Sequence, residues 1–162
     1  MERIVHPIPP LYQEDSKILI LGSFPSVKSR EGEFFYHHPQ NRFWKVISAV
    51  FEEPLPVTIE EKRSMLIKNG IALWDVIQSC EIAGSSDSSI RNVVANDLSV
   101  ILDNTSIQKI YTNGNTAYTL YRKYILPKTG IESIKLLSTS PANAGSNLEV
   151  LIKEWSCLQE LR

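Results

Sequence analysis

The 162-residue chain is poor in the residues from which built-in cofactor sites are made. Its two cysteines, Cys80 and Cys157, lie far apart, so neither a four-cysteine zinc site nor a cysteine-held iron–sulfur cluster can be built within one chain. They read as ordinary, partly buried thiols of a reducing compartment. The three histidines, His6, His37 and His38, show no ligand spacing backed by carboxylates, so no metal and no other cofactor is expected. No sign of charge dominates: a net charge of -1 argues against a general polyanion binder. It still leaves room for a local basic face, for which Lys28, Arg30, Arg42 and Lys45, diluted by Glu31 and Glu33, are the material. No apolar run approaches the roughly 20 residues of a membrane span, and Met1 to Pro7 lack a basic stretch followed by an apolar one. A cytoplasmic protein without a membrane partner is expected. Gly22-Ser23-Phe24-Pro25-Ser26 lacks the glycine spacing and the Gly-Lys-Ser/Thr ending of a phosphate loop, and it is not a dinucleotide fingerprint. Nor is it a nucleophile elbow, because Phe24-Pro25 occupies the ground where the second glycine would stand.

What is present is an average globular composition, 43% hydrophobic and 22% charged, without repeats or low-complexity tracts. One domain over residues 1–162 is expected, large enough to bury roughly 70% of its unfolded surface. Short apolar runs alternate with amphipathic stretches, the mark of a sheet covered by helices. Ile18 to Leu21, Ile71 to Ile77, Ile107 to Thr112 and Ile134 to Leu137 read as four strands, too uniformly apolar for one-sided exposure. The fold class is therefore α/β with a buried, largely parallel sheet. Helical spacing covers Arg42 to Phe51. Thr58 to Asn69 opens on a capping box of Thr58 and Glu61 and ends at Asn69-Gly70. Further helices are expected over Ile90 to Leu102, over Thr116 to Leu126, where Tyr118, Tyr121 and Tyr124 read as packing residues, and over Ser146 to Leu161, with Ser146 as cap. Four loops, Gly22 to Asn41, Asp75 to Ser89, Asn113 to Asn115 and Ser138 to Ser146, should gather at the carboxyl edge of the sheet, where open α/β sheets bind ligands.

Between Phe34 and Trp44 the chain crowds aromatics, His37-His38 and Gln40-Asn41-Arg42 into a likeness of a ring-binding pocket. Taken in order, Gly22-Ser23-Phe24-Pro25-Ser26, Asn41-Arg42-Phe43-Trp44, Ala72-Leu73-Trp74-Asp75-Val76, Gly84-Ser85-Ser86-Asp87-Ser88-Ser89-Ile90 and Ser138-Thr139-Ser140-Pro141-Ala142-Asn143 resemble the uracil-DNA glycosylase superfamily. Within it the motifs are most similar to the deoxyinosine, or hypoxanthine-DNA, glycosylases. The resemblance implies a three-layer αβα sandwich around a four-stranded sheet and a monofunctional enzyme, usually a monomer. Such an enzyme acts on double-stranded DNA, removes a deaminated base by extruding it from the stack, and lets water attack C1'.

The resemblance also assigns roles. Where relatives carry a water-positioning Asn, this chain has Phe24, so Phe24 can only join the base-binding set, and Asn41 is the candidate to hold the water. As a sequence feature Asn41 also reads as a cap for the helix beginning at Arg42, and one residue could serve both purposes. Phe35 and Tyr36 offer faces for the extruded base, with core packing as the competing reading, and which of them stacks is open. Asp75, at a strand end, would accept a hydrogen bond from N1–H of hypoxanthine or N3–H of uracil, or else serve as a turn or cap. The loop from Ser138 through Ser140, Pro141, Ala142 and Asn143 would enter the minor groove. Ser138 stands where relatives often carry a His, which puts backbone N–H groups or Ser140 in its place. Gly22, Ser23, Ser26 and Arg42 complete the expected DNA-binding set, and Ser85, Ser86 and Ser88 could donate to phosphates. Two other classes of answer compete. One is a non-catalytic α/β domain that binds a nucleotide or single strand, and the other is a hydrolase with Ser23 or Ser140 as nucleophile, which lacks a His–Asp partner.

Overall fold

The computed structural model describes residues 2–161, so the expected domain limits at 1 and 162 fall outside the described residues. Strands β1 (Arg3–Val5), β2 (Ile18–Gly22), β3 (Ile71–Asp75), β4 (Ile77–Glu81), β5 (Arg91–Ala95), β6 (Lys109–Asn113) and β7 (Ser133–Leu136) alternate with helices. These are α1 (Val27–Gly32), α2 (Phe43–Val50), α3 (Ile59–Lys68), α4 (Ser99–Leu102), α5 (Asn115–Tyr124), α6 (Leu126–Thr129) and α7 (Leu148–Trp155). The main sheet runs β3-β2-β6-β7, and its pairings are parallel throughout. A second, antiparallel sheet runs β1-β4-β5.

The period-2 alternation of a strand explains the layers. On β2, Ile18 and Ile20 join Ile71, Leu73, Tyr111 and Leu136 in a core roofed by α2 and α7. Leu19 and Leu21 point the other way, into a core with Ala72, Ile110, Leu98, Ile101, Tyr121 and Ile125. A strand covered on both faces must be apolar at every position, which is why Ile-Leu-Ile-Leu was legible as central. The outer layer on the first side is tied down by aromatic packing: the Phe43 and Trp155 rings meet edge-to-face at 5.8 Å. The Trp155 indole donates to the Leu137 carbonyl at 2.9 Å, so burying it leaves no orphan donor. The Thr58 capping box forms as expected, and Gly70, at φ 70°, ends α3.

Three departures from the expected pattern have local causes. The apolar run Ile71 to Ile77 is two strands, not one: Val76 N–H bonds Gly22 O at 2.8 Å, and the chain then leaves the main sheet to begin β4. The helix expected over Ile90 to Leu102 is β5 followed by the short α4, because Arg91, Val94 and Ala95 pair with β4 in a hairpin. Buried Asn96 pins the exit of that hairpin by donating to Asp75 O at 2.9 Å and Ile77 O at 3.2 Å. The cap of the last helix is Asn147, one residue after Ser146, its side chain accepting from Val150 N–H at 2.9 Å.

These connections align Gly22 with Asp75 and Asn113 with Leu136 at the carboxyl ends of four parallel strands. That edge carries the site.

Candidate active site

A cavity of about 530 Å³ opens at this edge, within the roughly 300–1,000 Å³ range of small-ligand pockets. Its wall takes residues from all four loops singled out in the sequence, among them Gly22 to Ser26, Phe35, Tyr36, Asn41, Asp75, Asn113 and Ser138 to Ala142. Arg42 and Asn143, expected to touch DNA, are not part of that wall.

The floor is Asp75, backed by a buried partner outside the cavity wall. Asp75 Oδ2 lies 2.7 Å from His6 Nε2, and the two side chains are 6% and 3% exposed. The Ile8 backbone N–H donates to His6 Nδ1 at 3.2 Å. A backbone N–H can only donate, so Nδ1 is the bare nitrogen and Nε2 carries the proton that it donates to Asp75. The imidazole is wedged edge-on between Phe24 (5.9 Å) and Trp74 (6.4 Å). His6 carries no signal in the sequence, being a lone histidine just past the first strand and far from every motif. Asp75 Oδ1 lies over Gly22, 2.5 Å from where a Cβ would stand. Gly22→Ala is therefore expected to push the carboxylate off the floor, with a modest loss of thermal stability measurable by thermal unfolding.

Tyr36 stands beside Asp75, its hydroxyl 3.2 Å from the same virtual Cβ. The hydroxyl is buried and makes no hydrogen bond to the protein. Burial, then the Asp75 charge, push this phenol well above its ordinary range, against a smaller pull from Asn113. It is thus a neutral O–H donor without an acceptor. Its backbone is left-handed at φ 50°, a conformation costing about 1–3 kcal/mol outside glycine. The ring stack on Phe43 at 4.1 Å and the Trp44 indole bonded to its carbonyl at 3.0 Å hold it there. Phe35 lines the cavity but is 3% exposed in the main core, its ring tilted against His6 and edge-on to Phe34. Phe24 is 8% exposed and carries the Arg30 guanidinium 5.6 Å from its ring centre.

Asn41 steadies the start of α2, one of the two roles the sequence left open. Its Oδ1 accepts from Phe43 N–H at 2.9 Å, steadying the start of α2, and from Thr139 Oγ1 at 2.8 Å. The Phe43 bond fixes which end of the amide is oxygen, and two donors fill its two lone pairs. What Asn41 has left for the pocket is its NH2. Thr139 is oriented in turn by Asn113, which accepts from Thr139 N–H and donates to Thr139 Oγ1, both at 3.0 Å. Asn113 and Thr139 stood in expected loops without a role, and only contact in three dimensions supplies one. Gly114, at φ 96°, makes the sharp turn after Asn113.

Arg42 turns inward. Its guanidinium donates to Ser140 O at 3.1 Å, to Asn143 O at 2.8 Å and to Ser146 O, while its backbone N–H bonds Thr139 O at 3.1 Å. The loop is cross-linked within itself as well. Ser140 and Ala142 N–H bond Ser138 and Ser140 hydroxyls, Asn143 N–H bonds Ser140 O, and the Asn143 amide bonds Ser138 O at 2.9 Å. The N–H groups of Thr139, Ser140, Ala142 and Asn143, among the backbone donors expected to stand in for the missing His, are thus engaged, and Pro141 and Ala142 form the loop's exposed tip.

The serines are similarly committed: Ser26 caps α1, Ser85 Oγ accepts from Val27 N–H at 2.9 Å, and Ser86 and Ser88 bond each other at 3.0 Å. Ser23 donates to Asp87 at 3.1 Å. Partial burial raises the Asp87 carboxyl, bonds from Ser23 and Thr116 pull it back, and Asp75 adds to the rise. His38 lines the cavity, its Nδ1 accepting from Gln40 N–H at 3.1 Å, whereas His37 packs against Gly32. Among the described residues no group of three or more His, Cys, Asp or Glu could hold a metal ion, and no helix is long and apolar enough to cross a membrane.

This architecture has counterparts. The solution NMR structure of a Methanosarcina acetivorans protein named as a uracil DNA glycosylase superposes with a TM-score of 0.81 at 32% identity, covering 98% of this chain and 99% of that one. The hypoxanthine DNA glycosylase of Methanosarcina barkeri is 32% identical over 140 residues, 85% of this chain and 87% of its own. The protein of the same name from Methanosarcina acetivorans is 34% identical over 137 residues, 83% and 85% of the two chains. A model of the uracil DNA glycosylase superfamily matches residues 9–162, and the chain belongs to that superfamily.

Proposed function

We propose that this protein is a monofunctional DNA glycosylase that excises hypoxanthine from deoxyinosine in duplex DNA, with uracil and xanthine as further candidate substrates. The observation that carries the reading is the buried Asp75 carboxylate at the floor of a cavity walled by all four strand-end loops, in a chain of this superfamily. Curated relatives named hypoxanthine DNA glycosylase point to the same base.

An extruded hypoxanthine would present N1–H to Asp75 and lie against the aromatic wall of Phe24, Phe35 and Tyr36. The C1'–N9 bond breaks with its electron pair passing to the base, and the anion spreads over N9, N7, N3 and O6. Water adds its oxygen to C1' and releases a proton, giving free hypoxanthine and an abasic sugar. The step is a hydrolysis and asks for no cofactor. Asn41, through its NH2, would donate to the water oxygen and leave a second lone pair aimed at C1', positioning the water without acting as a base. Pro141 and Ala142 would enter the minor groove, filling the place the base leaves. One domain, acting as a cytoplasmic monomer, suffices for this scheme.

The test is to incubate the protein with duplexes carrying a single deoxyinosine, deoxyuridine or deoxyxanthosine, cleave abasic sites with alkali, and look for nicks. Strand cleavage at deoxyinosine is expected. Intact strands from all three would sink the reading in favour of a non-catalytic nucleotide-binding domain.

A further inference from the structure

Deamination has one chemical signature common to its products. It turns an amidine, a ring nitrogen acceptor beside an amino donor, into a lactam, a ring N–H donor beside a carbonyl acceptor. Adenine becomes hypoxanthine and cytosine becomes uracil by this same exchange. A pocket that meets the edge with one fixed acceptor beside one fixed donor would therefore recognise damage as such. Two groups on the floor have these properties, and a third residue keeps them so.

The acceptor is Asp75 Oδ1. His6 Nε2–H holds Oδ2 at 2.7 Å, and the Ile8 N–H bonded to Nδ1 keeps the imidazole from presenting its bare nitrogen instead. The carboxylate therefore has one oxygen committed to His6, and the other lies over Gly22 beside the cavity. The donor is the Tyr36 hydroxyl, which is buried, has no protein partner and stands near the same point above Gly22. A buried hydroxyl without an acceptor is costly unless something arrives to accept from it. Resting on the base-excision reading above, we propose that Asp75 Oδ1 and Tyr36 O–H form an acceptor–donor pair for the lactam edge, with His6 as the positioning residue that fixes its polarity. N1–H of hypoxanthine donates to Asp75, and O6 accepts from Tyr36, where the bond also draws charge from the departing base. Adenine meets the pair with a bare N1 against a carboxylate and an amino group against an O–H. Guanine shares the lactam edge, so the pair separates lactams from amidines and not hypoxanthine from guanine.

The fixed tautomer has an unusual corollary. In Asp75→Asn, His6 Nε2–H still demands an acceptor, so the new amide must turn its oxygen to His6 and its NH2 to the pocket. The floor then offers two donors where it offered one acceptor and one donor, which disfavours N1–H and favours a bare N1. Removing the histidine as well, in His6→Ala with Asp75→Asn, frees the amide to flip and offer its oxygen again.

The experiment measures single-turnover base release from duplexes carrying deoxyinosine, deoxyadenosine or deoxynebularine, a purine with a bare N1 and no 6-substituent, for the wild type, Tyr36→Phe, Asp75→Asn and the double variant. Circular dichroism checks folding. Tyr36→Phe is expected to lower deoxyinosine release about 10-fold and deoxynebularine release by clearly less, because only the first has an O6. Asp75→Asn is expected to lower deoxyinosine release at least 100-fold and to raise the deoxynebularine-to-deoxyinosine ratio. The double variant should recover part of the deoxyinosine rate over Asp75→Asn alone. Equal losses on deoxyinosine and deoxynebularine in both single variants, or a double variant worse than Asp75→Asn on deoxyinosine, would overturn the proposal while the wild type remains a glycosylase. If Asp75→Asn fails to fold, Tyr36→Phe decides, since its hydroxyl holds nothing in the protein. A wild type silent on deoxyinosine removes the base-excision reading itself.

Discussion

Asn41→Ala is expected to lower single-turnover release of hypoxanthine by about 100-fold or more, the scale set by misplacing one reactant in a preorganised site, and Asn41→Asp to do nearly as much harm. The pair of variants separates two jobs in one side chain. Alanine removes the acceptor that steadies the Phe43 N–H and the Thr139 hydroxyl, a loss of about 1–2 kcal/mol of stability. Aspartate keeps that acceptor and so keeps the helix start, but it has no N–H to offer the cavity. Thermal unfolding should therefore separate the variants where activity does not. An Asn41→Asp enzyme as fast as the wild type would show that an acceptor, and not a donor, is what the water needs.

The second large effect is expected at Arg42. Its three carbonyl partners span Ser140 to Ser146, and bonds from a charged donor contribute about 1.5–3 kcal/mol each before the cost of ordering is counted. Arg42→Ala should release this loop, raise its amide hydrogen exchange and reduce kcat/KM about 10- to 100-fold. Arg42→Lys should restore little, because one ammonium cannot span three carbonyls as a planar fork does. The salt dependence of duplex binding distinguishes this clamp from a phosphate contact. A lost phosphate contact flattens the slope of log K against log salt by about one; a lost clamp weakens binding with the slope unchanged.

How far the sequence could be read follows from where the information sits. The four parallel strands are local apolar runs whose burial on two faces forbids polar residues, so Ile18 to Leu21 was recognisable without its neighbours. The four loops at the sheet's edge follow from parallel topology, and their convergence on one cavity bears out that reading. The Arg91–Ala95 strand was not recognisable, because its partner across the hairpin and the buried Asn96 decide its state, not its own periodicity. The site divides in the same way. Asn41 and Asp75 stand in motifs with a role to expect, whereas His6 and Asn113 stand in none, and Thr139, though inside a motif, gains its role only from what it touches. Arg42 shows the opposite hazard, since a cation in a motif of a DNA-binding family invites a phosphate and has carbonyls instead.

The pairing of His6 with Asp75 joins residues 69 positions apart. It places the floor of the pocket at the mercy of the chain's first strand. That strand is held by its antiparallel pairings with β4 and by Arg3 bonds to Asn92 O and Ser79 Oγ, and His6 N–H just beyond it bonds Gln78 O, while the superfamily match begins only at residue 9. A chain trimmed to the matched region would retain every motif, the whole parallel sheet and the clamp of Arg42, and still lose the group that sets the polarity of its own recognition. On that proposal the recognising unit is longer than the matched region, and because Ile8 is 3% exposed in the main core, trimming to residue 9 is expected to cost specificity and stability together.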